Sequence, residues 1–553
     1  DTRIKIMNKN CKQCGNKFEV RDQDLKFYEK IIIPAPQACP DCRRQRRLAF
    51  RNERFLYHRK CDLTGKAIIS VYSPDSQYKI YIQDEWWSDK WNPLDFGREF
   101  DFSRPFFDQF AELMKVVPRR NLIYFQNENS EYTNCCSNNK DCYLLFSSDY
   151  NQGCLYVSNI QKCIDCVDCS IGSESELCYE CFNFHHCYKC LFSSNVDNCS
   201  DCFAVYDCKG CKNCTFSSGL RNKEFYIYNK PYSQDEYFKL VTEFGMDRSL
   251  VLASAREKFD SLLMNQPRLC LNNVNNENCV GDYLYNSKNC FQSFNVIDSE
   301  SSSYIYDAVK CKDCADCNEI GYSELCYQVV EAFPDTYNSK FVFFTANTSD
   351  ITYCDHCYNS NNLFGCVGMK RNSYCILNKQ YTEGEYEDLM PKIVEHMRKT
   401  REWGEFFPIN LSPFGYNETV ANEAFPLDRE QALKLGANWS DYEAGAQFHG
   451  EEVKVPNSIK DTDESILEKV LTCEVTGKLY KVIPQEFKFY KKIGLPIPKR
   501  SPEQRYMDRI SFRNPRKLWD RKCAKCNKNI ITSYAPERPE IVYCEDCYLK
   551  NVY

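Results

Sequence analysis

The chain has 553 residues, 37 of them cysteine, with 43% hydrophobic and 14% aromatic residues. That apolar content excludes global disorder, and about 7% cysteine in so long a chain is not the pattern of a short secreted disulfide scaffold. The net charge of −6 is uneven: residues 1–61 and 473–553 each carry +9, leaving −24 between them. Basic ends suit polyanions, and the acidic middle does not.

The length implies roughly three to five domains. An odd cysteine total cannot all be paired, and many cysteines form C-x-x-C, so a reducing, cytoplasmic setting is expected. No run of 18 apolar residues spans a membrane, and Asp1-Thr2-Arg3-Ile4-Lys5 lacks the apolar core of a signal peptide.

In chain order, Cys11-x2-Cys14 and Cys39-x2-Cys42 come first. Two such knuckles supply the four thiolates of a tetrahedral structural Zn²⁺ site, with Gly15 making the turn. A basic run follows through Arg43, Arg44, Arg46, Arg47, Arg51 and Arg54. Residues 85–120 are aromatic and are expected to open with a loop through Trp86, Trp87 and Trp91.

The middle is duplicated. Cys163-x-x-Cys166-x-x-Cys169 with Ser175-Glu-Leu-Cys178-Tyr179 recurs as Cys311-x-x-Cys314-x-x-Cys317 with Ser323-Glu-Leu-Cys326-Tyr327, at an offset of 148 that becomes 149 at Cys208/Cys357. Each copy ends in a capping box, Ser233-x-x-Glu236 and Thr382-x-x-Glu385, ahead of an amphipathic helix. Cys178, Cys181, Cys187 and Cys190 recur 21 residues later as Cys199, Cys202, Cys208 and Cys211. A period near 20 with short β-branched and aromatic runs predicts a β-solenoid with inward cysteine ladders. A helix is expected over 246–266, and a connector with short helices over 401–472.

The C-terminal end copies the N-terminal one at a constant offset of 462. Phe27-Tyr28 matches Phe489-Tyr490, and Arg59-Lys60-Cys61 matches Arg521-Lys522-Cys523. It contains a second zinc quartet, Cys523-x2-Cys526 with Cys544-x2-Cys547, and a basic set including Arg505, Arg509, Arg513 and Arg516. The duplication also exposes two degenerate knuckles. Cys61-x-x-Thr64 and Cys473-x-x-Thr476 have each lost three ligands, so no metal is expected there, and the threonine hydroxyl is expected to close the knuckle.

Three readings of the central cysteines stand side by side: stacked free thiols, zinc between coils, and iron–sulfur clusters or redox disulfides. Cys163, Cys166, Cys169, Cys178, Cys181, Cys187 and Cys190 are the candidate additional ligands, with His185, His186 and His356 beside the series. The terminal arginines (Arg43, Arg44, Arg46, Arg47, Arg51, Arg54, Arg505, Arg509, Arg513, Arg516) are candidates for phosphate contacts. The competing reading is a clamp on the chain's own acidic middle. No phosphate loop, dinucleotide fingerprint, H-E-x-x-H or G-x-S-x-G occurs, and no residue set supports a catalytic assignment.

The run C-x-x-C-G…P-x-P-x-x-C-P-x-C-R-R-x-R-R…R-N-E-R-x-L-Y-x-R-x-C-D…T-G-K over residues 11–66 resembles the large, cysteine-rich, zinc-ribbon-bearing proteins widespread in candidate-phyla-radiation (Patescibacteria) bacteria. The resemblance covers most of the chain. It implies a bacterial protein with structural zinc at the ribbon cysteines, and it carries no activity.

The expected fold is multidomain, mainly β with α. Terminal zinc-ribbon or treble-clef-like modules (1–120 and 473–553) flank a tandem cysteine-rich β-solenoid with helical caps (121–266 and 267–400), and a connector fills 401–472. The expected function is a non-enzymatic, zinc-stabilised binding protein holding about two Zn²⁺. Its partner is expected to be RNA, the ribosome or DNA. A protein-assembly scaffold and a redox or metal-handling protein are the alternatives.

Overall fold

The computed structural model describes residues 7–321, 323–442, 448 and 450–553. Residues 1–6, residue 322 and part of the expected connector, 443–447 and 449, lie outside the described residues. The fold is mixed α/β and multidomain, with extensive parallel pairing and a four-cysteine cluster near each end.

The chain forms two compact units, and neither is continuous in sequence. One is Asp1–Leu122 with Leu271–Glu443; the other is Ile123–Cys270 with Ala444–Tyr553. The N-terminal four-cysteine module therefore packs on the second copy of the repeat, and the C-terminal module packs on the first.

The two arrays share one backbone rule. Residue i pairs in parallel with residue i+12, as in Ser158↔Ser170, Ser170↔Phe182 and Phe182↔Ser194. Isolated bridges such as Ser137↔Asp149, Lys140↔Gln152 and Gln152↔Ile164 continue the same interval.

Within each interval every third residue is buried: Cys142, Leu145, Ser148, Asn151, Cys154, Val157, Ile160, Cys163 and Cys166 follow one another inward. The residue before each of them turns the chain with a left-handed backbone, at φ 54 for Asp141, 54 for Leu144, 48 for Ser147 and 60 for Tyr150. Asn and Asp tolerate that conformation best, and they fill many of these positions. C-x-x-C in the arrays is thus two successive inward positions. The 21-residue recurrence in the sequence is a multiple of this three-residue inward step, whereas the pairing interval is 12.

The second array repeats the rule with two irregularities. Its first pairs are 11 apart (Val274↔Tyr285), and Tyr327↔Lys340 are 13 apart. The matching pair in the first array, Tyr179↔Leu191, is 12 apart. That one extra residue, at a register shift between Phe333 and Thr336, is what moves the copy offset from 148 to 149.

Why cysteine fills these interiors follows from the hydrogen bonds. An inward-turning backbone N–H needs an acceptor from the residue 12 earlier, and the turn carbonyls need donors. Cys154 does both. Its Sγ accepts from Cys166 N–H (3.4 Å) and donates towards the carbonyls of Gln152 (3.5 Å) and Cys163 (3.5 Å). Ser148 does the same with Ile160 N–H (3.2 Å) and the Phe146 carbonyl (2.8 Å). A thiol adds apolar bulk to these two roles. One column is cysteine through seven successive intervals: Cys142, Cys154, Cys166, Cys178, Cys190, Cys202 and Cys214, all buried. Cys154→Ser should therefore cost under about 1 kcal/mol, whereas Cys154→Ala, which strands both partners and leaves a void, should cost about 2 kcal/mol or more, read from denaturant midpoints.

The array ends are closed as the capping boxes predict. Ser233 and Thr382 each accept from the backbone N–H three residues on, while Glu236 and Glu385 accept from the Ser233 and Thr382 N–H groups (3.1 and 2.9 Å). The helix expected over 246–266 runs Ser249–Met264. The aromatic linker differs from expectation, because Trp86 and Trp87 lie in a helix, Gln83–Trp87, rather than a loop. Full burial of Trp86 and the bond from its Nε1 to the Pro118 carbonyl (2.8 Å) fix that turn. In the following helix, Phe106–Val116, Pro105 offers no side-chain cap, so the Phe106 and Phe107 N–H groups donate to the Glu402 carboxylate (2.9 and 2.8 Å).

Candidate metal centres and the arginine clamps

In the N-terminal module a hairpin, Met7–Asn10 with Lys17–Val20, flanks the first knuckle, and the second knuckle opens helix Pro40–Leu48, whose N-cap is Cys39. Cys11, Cys14, Cys39 and Cys42 place their Sγ atoms within 4.8 Å of one another, and so do Cys523, Cys526, Cys544 and Cys547. Two thiolates on a tetrahedral Zn²⁺ with Zn–S of about 2.3 Å lie about 3.8 Å apart. The Cys14–Cys39 and Cys526–Cys544 separations are 3.8 and 3.7 Å. Each quartet therefore fits one ion held by four thiolates, with no open coordination position.

The backbone prepares the thiolates. Cys39 N–H donates to Cys11 Sγ and Cys544 N–H to Cys523 Sγ, both at 3.2 Å. Burial pushes the Cys523 thiol up, but the N–H groups of Cys544, Cys526 and Lys525 outweigh it and bring it down to about 6. Each knuckle turn is left-handed: Gly15 at φ 76, and in the second quartet Asn527 at φ 60, the residue type that best replaces glycine there.

The degenerate knuckles keep this shell. Ile82 N–H donates to Cys61 Sγ (3.3 Å) where Cys544 N–H serves Cys523 in the copy. The threonine hydroxyls accept from the turn, from Lys66 N–H (3.4 Å) and Lys478 N–H (3.3 Å). Burial opposes ionisation of Cys473, yet Thr476 and the Ser501 N–H bring its thiol down to about 6.

Among the described residues the two quartets are the only groups of three or more Cys, His, Asp or Glu whose ligand atoms all lie that close. The candidate central ligands Cys163, Cys166, Cys169, Cys178, Cys181, Cys187 and Cys190 are all buried, with thiols directed at backbone carbonyls, as from Cys166 to Ile164 (3.5 Å) and Ser175 (3.6 Å). His185 bonds Ser173 and Asn183, His186 lies beside Glu174 and Asp197, and His356 bonds Asp355.

Several of the basic residues are turned inward onto buried carboxylates. Arg43 and Arg47, 2% and 0% exposed, converge on buried Asp316 at 2.8 and 3.3 Å. Arg505 and Arg509, 3% and 2% exposed, converge on buried Asp168 at 2.6 and 2.9 Å. Each step here obeys the copy offsets, 462 for the arginines and 148 for the aspartates. The surroundings match as well. Lys30–Asp313 and Lys492–Asp165 are both 2.9 Å, and Tyr28 and Tyr490 meet Tyr327 and Tyr179, respectively, edge-on. Burial raises the Asp168 carboxyl, and Arg505 and Arg509 oppose that rise and hold it at about 6.

The other candidates are also engaged. Arg51 pairs with Glu53 and Glu319, Arg44 lies over the Tyr306 ring at 4.6 Å, and Arg46 pairs with Glu405 at 3.2 Å. Arg54, Arg513 and Arg516 are half-buried and partnered. The ten arginines assigned to phosphate from sequence are thus largely taken up inside their own units. Asp168 and Asp316 were the residues sequence reasoning missed. Their signal is an aspartate at the same place between two cysteines in both copies, Cys166-Val-Asp-Cys169 and Cys314-Ala-Asp-Cys317.

No protein-family model matches the chain, and no curated protein is similar to it. Among the described residues no helix is long and apolar enough to cross a membrane.

Proposed function

We propose that the chain is a zinc-stabilised, non-enzymatic scaffold in which each terminal module is a fixed cover on a β-solenoid with a 12-residue coil. The observation that carries this reading is the pair of buried clamps, Arg43/Arg47 on Asp316 and Arg505/Arg509 on Asp168. The i to i+12 parallel pairing, with a turn at every third residue, supports the solenoid. Solenoids offer long regular faces to protein partners.

Contact with RNA, DNA or a ribosome would have to use other cations, such as the exposed knuckle lysines Lys12, Lys17, Lys525 and Lys528. Fluorescence anisotropy with short labelled RNA and DNA decides between the two. The scaffold reading expects only weak binding that vanishes by about 0.15 M salt. Binding that survives this salt and is lost in a Lys12→Glu, Lys525→Glu double variant with unchanged melting would restore the nucleic-acid reading.

A further inference from the structure

Two copies of one helix end differently. Helix Pro484–Ile493 is closed by Gly494 at φ 70, the residue suited to a left-handed cap. The matching position after helix Asp22–Lys30 is Ile32, at φ 59. A β-branched residue in that region is strained; outside the arrays, where such turns recur every third residue, the described non-glycine residues that adopt it are Ile32, Arg401 and Asn527. Packing gives no compensation, because Ile32 is 71% exposed.

Ile32 borders a cavity of about 450 Å³ whose walls include Glu29, Pro34, Arg398, Arg401, Trp403 and Glu405, with the exposed Glu29 carboxylate one helical turn before Ile32. That volume is within the range of small-ligand sites. Arg401, on the same cavity wall, is also left-handed, at φ 64.

The walls are held in place. Gly404 lies so close that a Cβ there would meet Pro34 Cγ at 2.6 Å, its N–H donates to the Tyr353 hydroxyl (3.1 Å), and that hydroxyl donates to the Glu405 carbonyl (3.1 Å). Glu405 is answered by Arg46 at 3.2 Å, and Arg398 lies 3.7 Å from Glu395. The exposed Arg401 guanidinium has no ion pair among the described residues. A cation and an aromatic ring thus share one concave site with an apolar rim that costs backbone strain.

We propose that this cavity binds a carboxylate joined to an apolar group, such as the C-terminal residue of a peptide. Arg401 takes the carboxylate through paired N–H donors. The apolar group lies between Trp403, Pro34 and Ile32. The assignment rests on this cavity alone and is independent of the scaffold reading.

Calorimetric titration of the full zinc-loaded chain tests it with three probes: acetyl-Gly-Phe as the free acid, its C-terminal amide, and acetyl-phenylalanine. The acid should bind at least about tenfold tighter than the amide. Acetyl-phenylalanine equal to the dipeptide identifies a free acid as the ligand, and a weaker affinity identifies a peptide end. Arg401→Gln should weaken the acid about tenfold with unchanged melting temperature. Ile32→Gly should raise the melting temperature and weaken the acid. Equal binding of acid and amide, no binding of either at millimolar concentration, or an Ile32→Gly variant with unaltered acid affinity overturns the proposal.

Discussion

Asp316→Ala should be the most damaging single substitution in the unit that contains it. The carboxylate is fully buried and receives Arg43 Nε (3.0 Å), Arg43 Nη2 (2.8 Å) and Arg47 Nη1 (3.3 Å). Its removal leaves two guanidinium groups in an apolar setting with no counter-charge. Breaking a buried ion pair from one side costs about 3–5 kcal/mol, against about 5–15 kcal/mol for the whole stability of a typical domain. Asp168→Ala should do the same to the other unit through Arg505 and Arg509. A triple replacement, Asp316→Leu with Arg43→Met and Arg47→Met, should be far milder than Asp316→Ala, because apolar groups of similar volume replace buried charge at little cost. Hydrogen exchange resolved by segment reads the result. Asp316→Ala should raise exchange in 22–48 and 300–345, and Asp168→Ala in 484–510 and 150–195. A shift under about 1 kcal/mol for either aspartate would sink the clamp as the module's anchor.

Metal removal is the second large effect. The intact chain should hold two zinc ions, measured by mass spectrometry of the metal. Structural zinc in small modules is bound by about 10–16 kcal/mol, so chelation removes more free energy than any side chain here supplies. The consequence reaches beyond the knuckle. Cys39 and Cys42 begin the helix that carries Arg43 and Arg47, so loss of the ion should loosen the clamp on Asp316. Chelation, or Cys39→Ser, should therefore deprotect residues 39–48 and the Asp316 region together. If that helix keeps its protection after complete zinc release, the ion is not structural.

Several features were legible in the sequence for identifiable reasons. The two terminal four-cysteine clusters declare themselves because each joins two C-x-x-C knuckles across a short stretch of chain, outside the repeats in which C-x-x-C also arises from the three-residue inward step. Capping boxes do so because Ser233 and Glu236 act over three residues. The duplications were legible because the offset of 462 holds without a gap and that of 148 changes by only one residue, to 149. The 12-residue pairing interval was hidden because cysteines occupy inward positions that recur every three residues, so a 21-residue recurrence fits the pattern equally well. The fate of the arginines was hidden for another reason. A sequence shows Arg43 and Arg505 as charges, but the carboxylate that neutralises each lies 273 and 337 residues away. Cys61 and Cys473 lie between these cases, since the missing ligands were visible in the alignment of the copies but the retained N–H···S contacts were not.

The discontinuous units set a problem for synthesis. A ribosome releases residues 1–122 first, yet their array, Leu271–Glu443, emerges only after the whole of Ile123–Cys270. The array made first carries Asp168, Tyr156 and Tyr179 at the positions of Asp316, Tyr304 and Tyr327 in the array made second. The two sockets differ at their margins. Glu319, which receives Arg51 at 2.6 Å, is replaced by Ile171, and Phe343, against which Phe50 packs, is replaced by Ser194. The contacts of Arg51 with Glu319 and of Phe50 with Phe343 therefore have no counterpart on the first array. The first array stays without its module until residues 444–553 are made, and exposed apolar surface on such an intermediate favours aggregation.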